Sequence, residues 1–273
     1  MRSSNPPRLL MQGAFALLLA WALYELPVLA NGEANALAIT AIIAASALLA
    51  SIAGFAFCAL AGSAFAYLRL DPAQAVQTMV VCSTAIQLYA VWKIRDAIRW
   101  RALWPMIAAG AASVPVGVWL LLHVDAAVYR IGLGAFLTAY GGYTLFRREG
   151  LVIRGTPARD ALAGALGGVA GGLAGLPGSF VAIWCSMRGW DKLAQRAVYQ
   201  PYILAMQIVT IACLPWQAAT GADAFDDLRF VPFAVIGGIA GFALYQRMTN
   251  RQFHGAVSGL LVVSGLALLS RSF

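Results

Sequence analysis

The stretch GGLAGLPGS (171–179) puts four glycines and a proline into nine residues of an otherwise apolar run, 161–187. Glycine weakens a helix, and proline breaks its hydrogen-bond ladder. The surrounding solvent decides what such an interruption means. In water the freed backbone groups are hydrated. In a lipid core they persist only where protein or a water-filled cavity satisfies them.

Composition decides the solvent. Of 273 residues, 61% are hydrophobic and only 11% charged, against about 25% charged in a soluble domain. So few charges cannot cover a water-facing surface, and the chain reads as an integral membrane protein. A hydrocarbon core of about 30 Å needs roughly 20 apolar residues per helix, and runs of that length recur. The alternating pattern of β-barrel spans is absent. The formal charge of +8 does not point to nucleic acid, because the basic residues sit in short clusters between apolar runs, where cytoplasmic loops carry them. Cys58, Cys82, Cys185 and Cys213 lie in apolar segments at no metal-ligand or redox spacing, and read as small buried hydrophobes. No Walker A motif is present, and no cofactor is expected. Residues 1–30 have the outline of a signal peptide, but the apolar run from Leu9 to Ala30 is long for one and reads as a retained first helix.

Apolar spans fall at about 9–29, 37–67, 74–92, 102–122, 127–146, 161–187, 197–218, 229–246 and 252–270. A lead helix (1–35) precedes two related halves, 36–147 and 161–273, joined by a polar linker, 148–160. Landmarks recur about 120 residues apart: AGFAFCALAGS (53–63) answers AGGLAGLPGS (170–179), QAV (74–76) answers RAV (196–198), and Gln87 answers Gln207. The basic clusters around residues 2–8, 93–101, 147–159, 188–196 and 247–251 all fall on one side if 37–67 and 161–187 enter and leave on the same face. That placement obeys the positive-inside tendency with Arg69 as the exception. The fold class expected is an all-α polytopic membrane protein: a lead helix plus two inverted repeats, each a re-entrant broken-helix hairpin followed by three transmembrane helices. The N-terminus is then cytoplasmic. Inverted repeats with broken helices at the midplane are the architecture of many secondary transporters.

The glycine stretch now has a use. A helix restarting near Gly178 and Ser179, and its counterpart near Gly62 and Ser63, would present free N–H groups and the positive end of the helix dipole to an anion. Gly175 and Pro177 would make the break. Gln77, Gln200 and Gln207 are the polar side chains placed to assist, with Gln87 facing either the cavity or a neighbouring helix. Gly164, Gly168 and Gly172 recur every fourth residue and read as close helix packing instead. Arg188 and Arg196 read as orienting charges in contact with phospholipid, able to draw anions to the cytoplasmic mouth. His123 reads as a surface residue. Within the spans the only carboxylate is Glu25, in the lead helix. An exported anion needs no coupling acid, since an inside-negative potential of 100 mV favours its exit by about 2.3 kcal/mol per charge.

The segment GLAGLPGSFVAIWCSMRGWDKLAQRAVYQPYILAMQ (172–207) resembles the second-repeat signature of the sulfite exporter TauE/SafE family, also called the toluene sulfonate uptake permease family. The shared features are the glycine-rich break at 175–179, the apolar half-helix 180–187, Gly189, and Arg196 with Ala197 opening the next helix. The first half is similar through AGFAFCALAGS and LDPAQAV (70–76), with Ala61 where glycine or proline is common. The resemblance implies a transporter rather than an enzyme, in a bacterial inner membrane. It implies export of sulfite or organosulfonates such as sulfoacetate. The expected partners are a small anionic substrate and membrane lipid, without nucleic acid; a homo-oligomer is left open. Three alternatives stay open: import of sulfonate or thiosulfate, a passive anion channel, and an intramembrane hydrolase using Ser179 with His254.

Overall fold

The computed structural model describes residues 34–54, 57–68, 72–146, 153–214 and 226–247, with single positions between 259 and 269. Every regular element among these residues is helical. The expected lead helix (1–35) lies almost wholly outside them, as does most of the last span, with His254.

Helix α1 (Ala34–Ala53) ends at Gly54, whose φ of 83° is left-handed. Helix α2 (Phe57–Tyr67) follows. Helix α3 (Pro72–Ile94) opens on a proline, whose fixed φ suits a first turn. A 3-10 turn at Arg95–Ala97 leads into α4 (Trp100–His123), followed by α5 (Ala126–Phe146). In the second half, Thr156 caps α6 (Pro157–Ala174) by accepting the Arg159 N–H, and Gly175 stops it at φ 66°. The Gly175 N–H donates to the Gly171 carbonyl (2.9 Å) and the Leu176 N–H to that of Ala170 (3.1 Å). Helix α7 (Gly178–Met187) then runs for only ten residues, about 15 Å and half a bilayer. Asp191 caps α8 (Lys192–Cys213), and a 3-10 turn at Asp226–Phe230 precedes α9 (Val231–Arg247).

Among the described residues, three stretches are long and apolar enough to cross a membrane by length and composition: 72–97, 100–123 and 228–245. Helix α8 spans a similar length, yet carries Gln195, Arg196, Gln200 and Gln207. Its polarity reflects its place. Arg196, Gln200 and Gln207 are all buried, while Leu193 and Ile208 on the same helix are exposed, so α8 turns its polar face inward to its neighbours.

Two long helix pairs flank the centre, α4 along α6 and α1 along α9, while α3 and α8 meet between them. Glycine makes both flanking pairs close. A Cβ on Gly164, Gly168 or Gly172 would run into the backbone of Met106, Gly110 or Val114, and one on Gly237 or Gly241 into that of Ala44 or Leu48. The four-residue glycine spacing of α6 is thus used for packing, as its pattern suggests. Ser113 reinforces the contact by donating to the Ala165 carbonyl (2.8 Å).

Four expectations change. The first interruption falls at Gly54, 121 positions before Gly175, so Gly62 and Ser63 lie inside α2 and not at a helix start. The repeated GS pair in AGS and PGS misled the pairing; what recurs is the left-handed glycine. Helix α6 begins at Pro157, inside the expected linker, which buries Asp160. That carboxylate accepts from Trp184 Nε1 (2.6 Å) and pairs with Arg188 (3.1 Å), so Glu25 is not the only acid among the apolar segments. Arg196, finally, is 1% exposed and does not contact lipid.

Candidate substrate-binding site

The break at Gly54 opens on a small, largely apolar pocket with a few polar groups. Ser51 and Gly54 of α1, Ser83 and Gln87 of α3, Gln200 of α8 and Phe242 of α9 line it, with Phe57 at the start of α2 beside them. The space is about 20 Å³, enough for a water. A chain turning back at Gly54 has to leave carbonyls without helical partners, and the pocket's polar side chains gather around them. Gln87 Nε2 donates to the Gly54 carbonyl (3.0 Å). A Cβ at Gly54 would sit 2.9 Å from the Tyr199 hydroxyl and 3.1 Å from Gln200 Nε2. The left-handed φ and this crowding both require glycine.

Around this turn buried polar atoms remain uncommitted. Ser51 Oγ, Gln87 Oε1, Gln200 Oε1 and Gln207 Oε1 have no hydrogen-bond partner. Each such atom costs about 1–3 kcal/mol when left unsatisfied in a dry interior. Those on Ser51, Gln87 and Gln200 line the pocket, with Gln207 two turns further along α8, and mark a place that receives water or a polar solute. Gln207 Nε2 donates to Ser83 Oγ (2.6 Å), tying α8 to α3 beside the pocket.

The second break is built differently. Ser179 N–H and Oγ both donate to the Leu176 carbonyl, at 3.3 and 2.9 Å, so the hydroxyl proton is held by its own turn. Pro177 is the helical residue before α7 and offers no side-chain cap. A Cβ at Gly175 would meet Cys58 Sγ at 3.3 Å and Val80 Cγ2 at 3.6 Å, so apolar side chains of the first half surround this turn. Tyr202 donates to the Gly164 carbonyl (2.6 Å) and stands against Gly167.

Of the residues singled out from sequence, the pocket gathers Gln87 and Gln200 and has Gln207 as a neighbour. Gln77 is buried and hydrogen-bonded on α3 but does not line it. Gly62, Ser63, Gly175, Pro177, Gly178 and Ser179 stand outside it; Ser63 donates to the Leu60 carbonyl (2.9 Å). Gly54, Ser51 and Ser83 were missed. Ser83 and Gln87 stand four apart on one helix, as do Arg196 and Gln200, and helical neighbours at that spacing share a face.

A profile of the sulfite exporter TauE/SafE family matches residues 37–268. The chain belongs to this family. The TauE/SafE match takes in both glycine breaks, the central helices α3 and α8 and the whole pocket, and leaves residues 1–36 outside. Searches of curated proteins and of solved structures returned no match. As a TauE/SafE protein with apolar spanning helices, it is a multi-pass membrane protein of a transporter family, whose substrates are small anions.

Proposed function

We propose that this TauE/SafE protein is a secondary carrier that exports sulfite or an organosulfonate such as sulfoacetate across a bacterial inner membrane, holding the anion at the Gly54 break, where the water-sized pocket of this conformation widens to admit it. The single observation that carries the reading is the set of uncommitted buried polar atoms on Ser51, Gln87 and Gln200 around a helix interruption. Irregular backbone at membrane depth marks binding sites in many carriers. The amide oxygens among those atoms only accept; the donors left for sulfur-bound oxygens are the Ser51 hydroxyl and the Gln200 amide, since the Gln87 and Gln207 amides donate to Gly54 and Ser83. Family membership supplies the sulfur chemistry.

The proposed architecture is a lead helix followed by two inverted halves, 36–147 and 161–273, with α1–α2 and α6–α7 as re-entrant hairpins. Two observations support it. Gly54 and Gly175 take the same left-handed conformation at corresponding points. The flanking pairs are also reciprocal: α4 lies on α6, and α9, its counterpart, lies on α1. With the basic turns cytoplasmic, the N-terminus is cytoplasmic too. Gly175, Pro177 and Gly178 then form the hinge of the second hairpin.

The test uses the purified chain in proteoliposomes loaded with labelled sulfite or sulfoacetate. Efflux should rise with an inside-negative potential, and unlabelled substrate outside should stimulate exchange. Gln200→Leu should slow both about tenfold or more, the loss of a polar contact made only to substrate. Efflux without exchange stimulation would replace the carrier by a channel, and full activity in Gln200→Leu would move the site elsewhere.

A further inference from the structure

Arg196 is the largest fully buried side chain among the described residues. A buried cation ordinarily has a carboxylate against it, because taking a charge out of water is expensive unless it is paired. Among the described residues no carboxylate lies within ion-pair distance of this guanidinium; the two pairs found there are Arg188 with Asp160 and Arg95 with Asp96. Asp191, at the start of the same helix, accepts the Ala194 N–H at its cap. Arg196 Nη2 donates to the Ser51 and Ile52 carbonyls, at the end of α1. Its cationic centre lies 3.5 Å from the Tyr245 ring centroid and 5.6 Å from that of Phe242. Nε and Nη1 donate to nothing.

Two of those contacts, Ser51 and Phe242, are lining residues of the pocket, and Gln200 is one helical turn beyond Arg196 on α8. The guanidinium is not itself a lining residue but stands directly behind the pocket wall, with the Tyr199 phenol near it, two nitrogens without a hydrogen-bond partner, and no neutralising carboxylate among the described residues. Aromatic faces attract a cation without cancelling it. In the first half, the position answering Arg196 is Gln74, which carries no charge.

We propose that Arg196 reads the substrate's charge, its guanidinium supplying the countercharge and donors to one anionic sulfonate- or sulfite-type group in the pocket. This rests on the reading of that pocket as the anion site. A guanidinium is a permanent cation whose planar donors suit oxyanions. A single one matches one anionic group, so the pocket discriminates by charge more than by shape.

The experiment measures affinities of the full-length protein by ligand-induced thermal stabilisation at matched ionic strength. The probes are methanesulfonate, sulfite, acetate and dimethyl sulfone, the last a neutral relative of methanesulfonate. The wild type should prefer methanesulfonate over dimethyl sulfone by about a hundredfold, and Arg196→Gln should reduce that preference to about threefold or less, the scale of a lost charge-assisted hydrogen bond. A purely structural role would lower the melting temperature and leave the ratio intact. A folded Arg196→Gln that keeps the ratio overturns the assignment while the pocket reading stands. If Arg196→Gln does not fold, Arg196→Lys decides: weaker anion binding by several-fold supports the guanidinium, and undiminished binding overturns it. Binding of acetate alone, dependent on Arg196, keeps the charge assignment and removes the sulfur substrate. No binding of any anion overturns both.

Discussion

The two helix interruptions share a backbone conformation and almost nothing else. At Gly175 the sequence is rich in glycine and proline, the turn faces Cys58 and Val80, and the nearby Ser179 hydroxyl donates back to the Leu176 carbonyl. At Gly54 a single glycine does the turning, and it faces Gln87, Gln200 and the Ser51 hydroxyl. The conspicuous break is the drier one. Proline and consecutive glycines report how a chain is bent, whereas a ligand site is defined by the polar groups that neighbouring helices bring to the bend. At Gly54 those groups come from α3 and α8, far away in sequence.

The sharpest test of this contrast is Gly54→Val. Its side chain would need a left-handed backbone and space held by the Tyr199 hydroxyl at 2.9 Å, so anion-dependent stabilisation and efflux should both fall by about a hundredfold or more, or the protein should fail to fold. Gly175→Ala should cost about 1–2 kcal/mol of stability through its φ, since its nearest neighbour, the Cys58 thiol, can shift. It should keep anion affinity within about threefold, read as a lower melting temperature with the ligand-induced shift preserved. Gln207→Leu should fall between, weakening efflux several-fold by releasing Ser83 beside the pocket. The smallest effect is expected for Ser179→Ala, whose hydroxyl serves its own helical turn; efflux should change less than about twofold. Complete inactivation there would reverse the contrast and revive the nucleophile reading of Ser179.

Much of this was legible in sequence. Scarcity of charge identified the membrane solvent, four-residue glycine spacing identified the packing face of α6, and the 171–179 stretch identified one break. Three features were hidden for physical reasons. Gly54 lacks a proline, and in AGFAF a lone glycine resembles a packing residue; its φ is set by α8 crossing beside it. Asp160 follows Arg154 and Arg159 closely, so it read as linker, although Thr156 starts the helix four residues earlier. Arg196 belongs to a run of basic residues beginning at Arg188, where an interfacial charge is the usual reading. Only its neighbours on α1 and α9 make it a buried cation.

The reciprocal glycine contacts bear on how the molecule can move. Backbone pressed against backbone slides poorly, so α1 travels with α9 and α6 with α4. The rigid pieces of a transport cycle would then each be stitched from both halves of the chain, with α3 and α8 as the axle between them. Cutting the polypeptide between residues 147 and 156 would part each helix from the one it packs on: residues 156–273 expressed alone should not fold, and the two fragments expressed together should reassemble. A stable, monodisperse second half would show that gene halves and moving parts coincide after all.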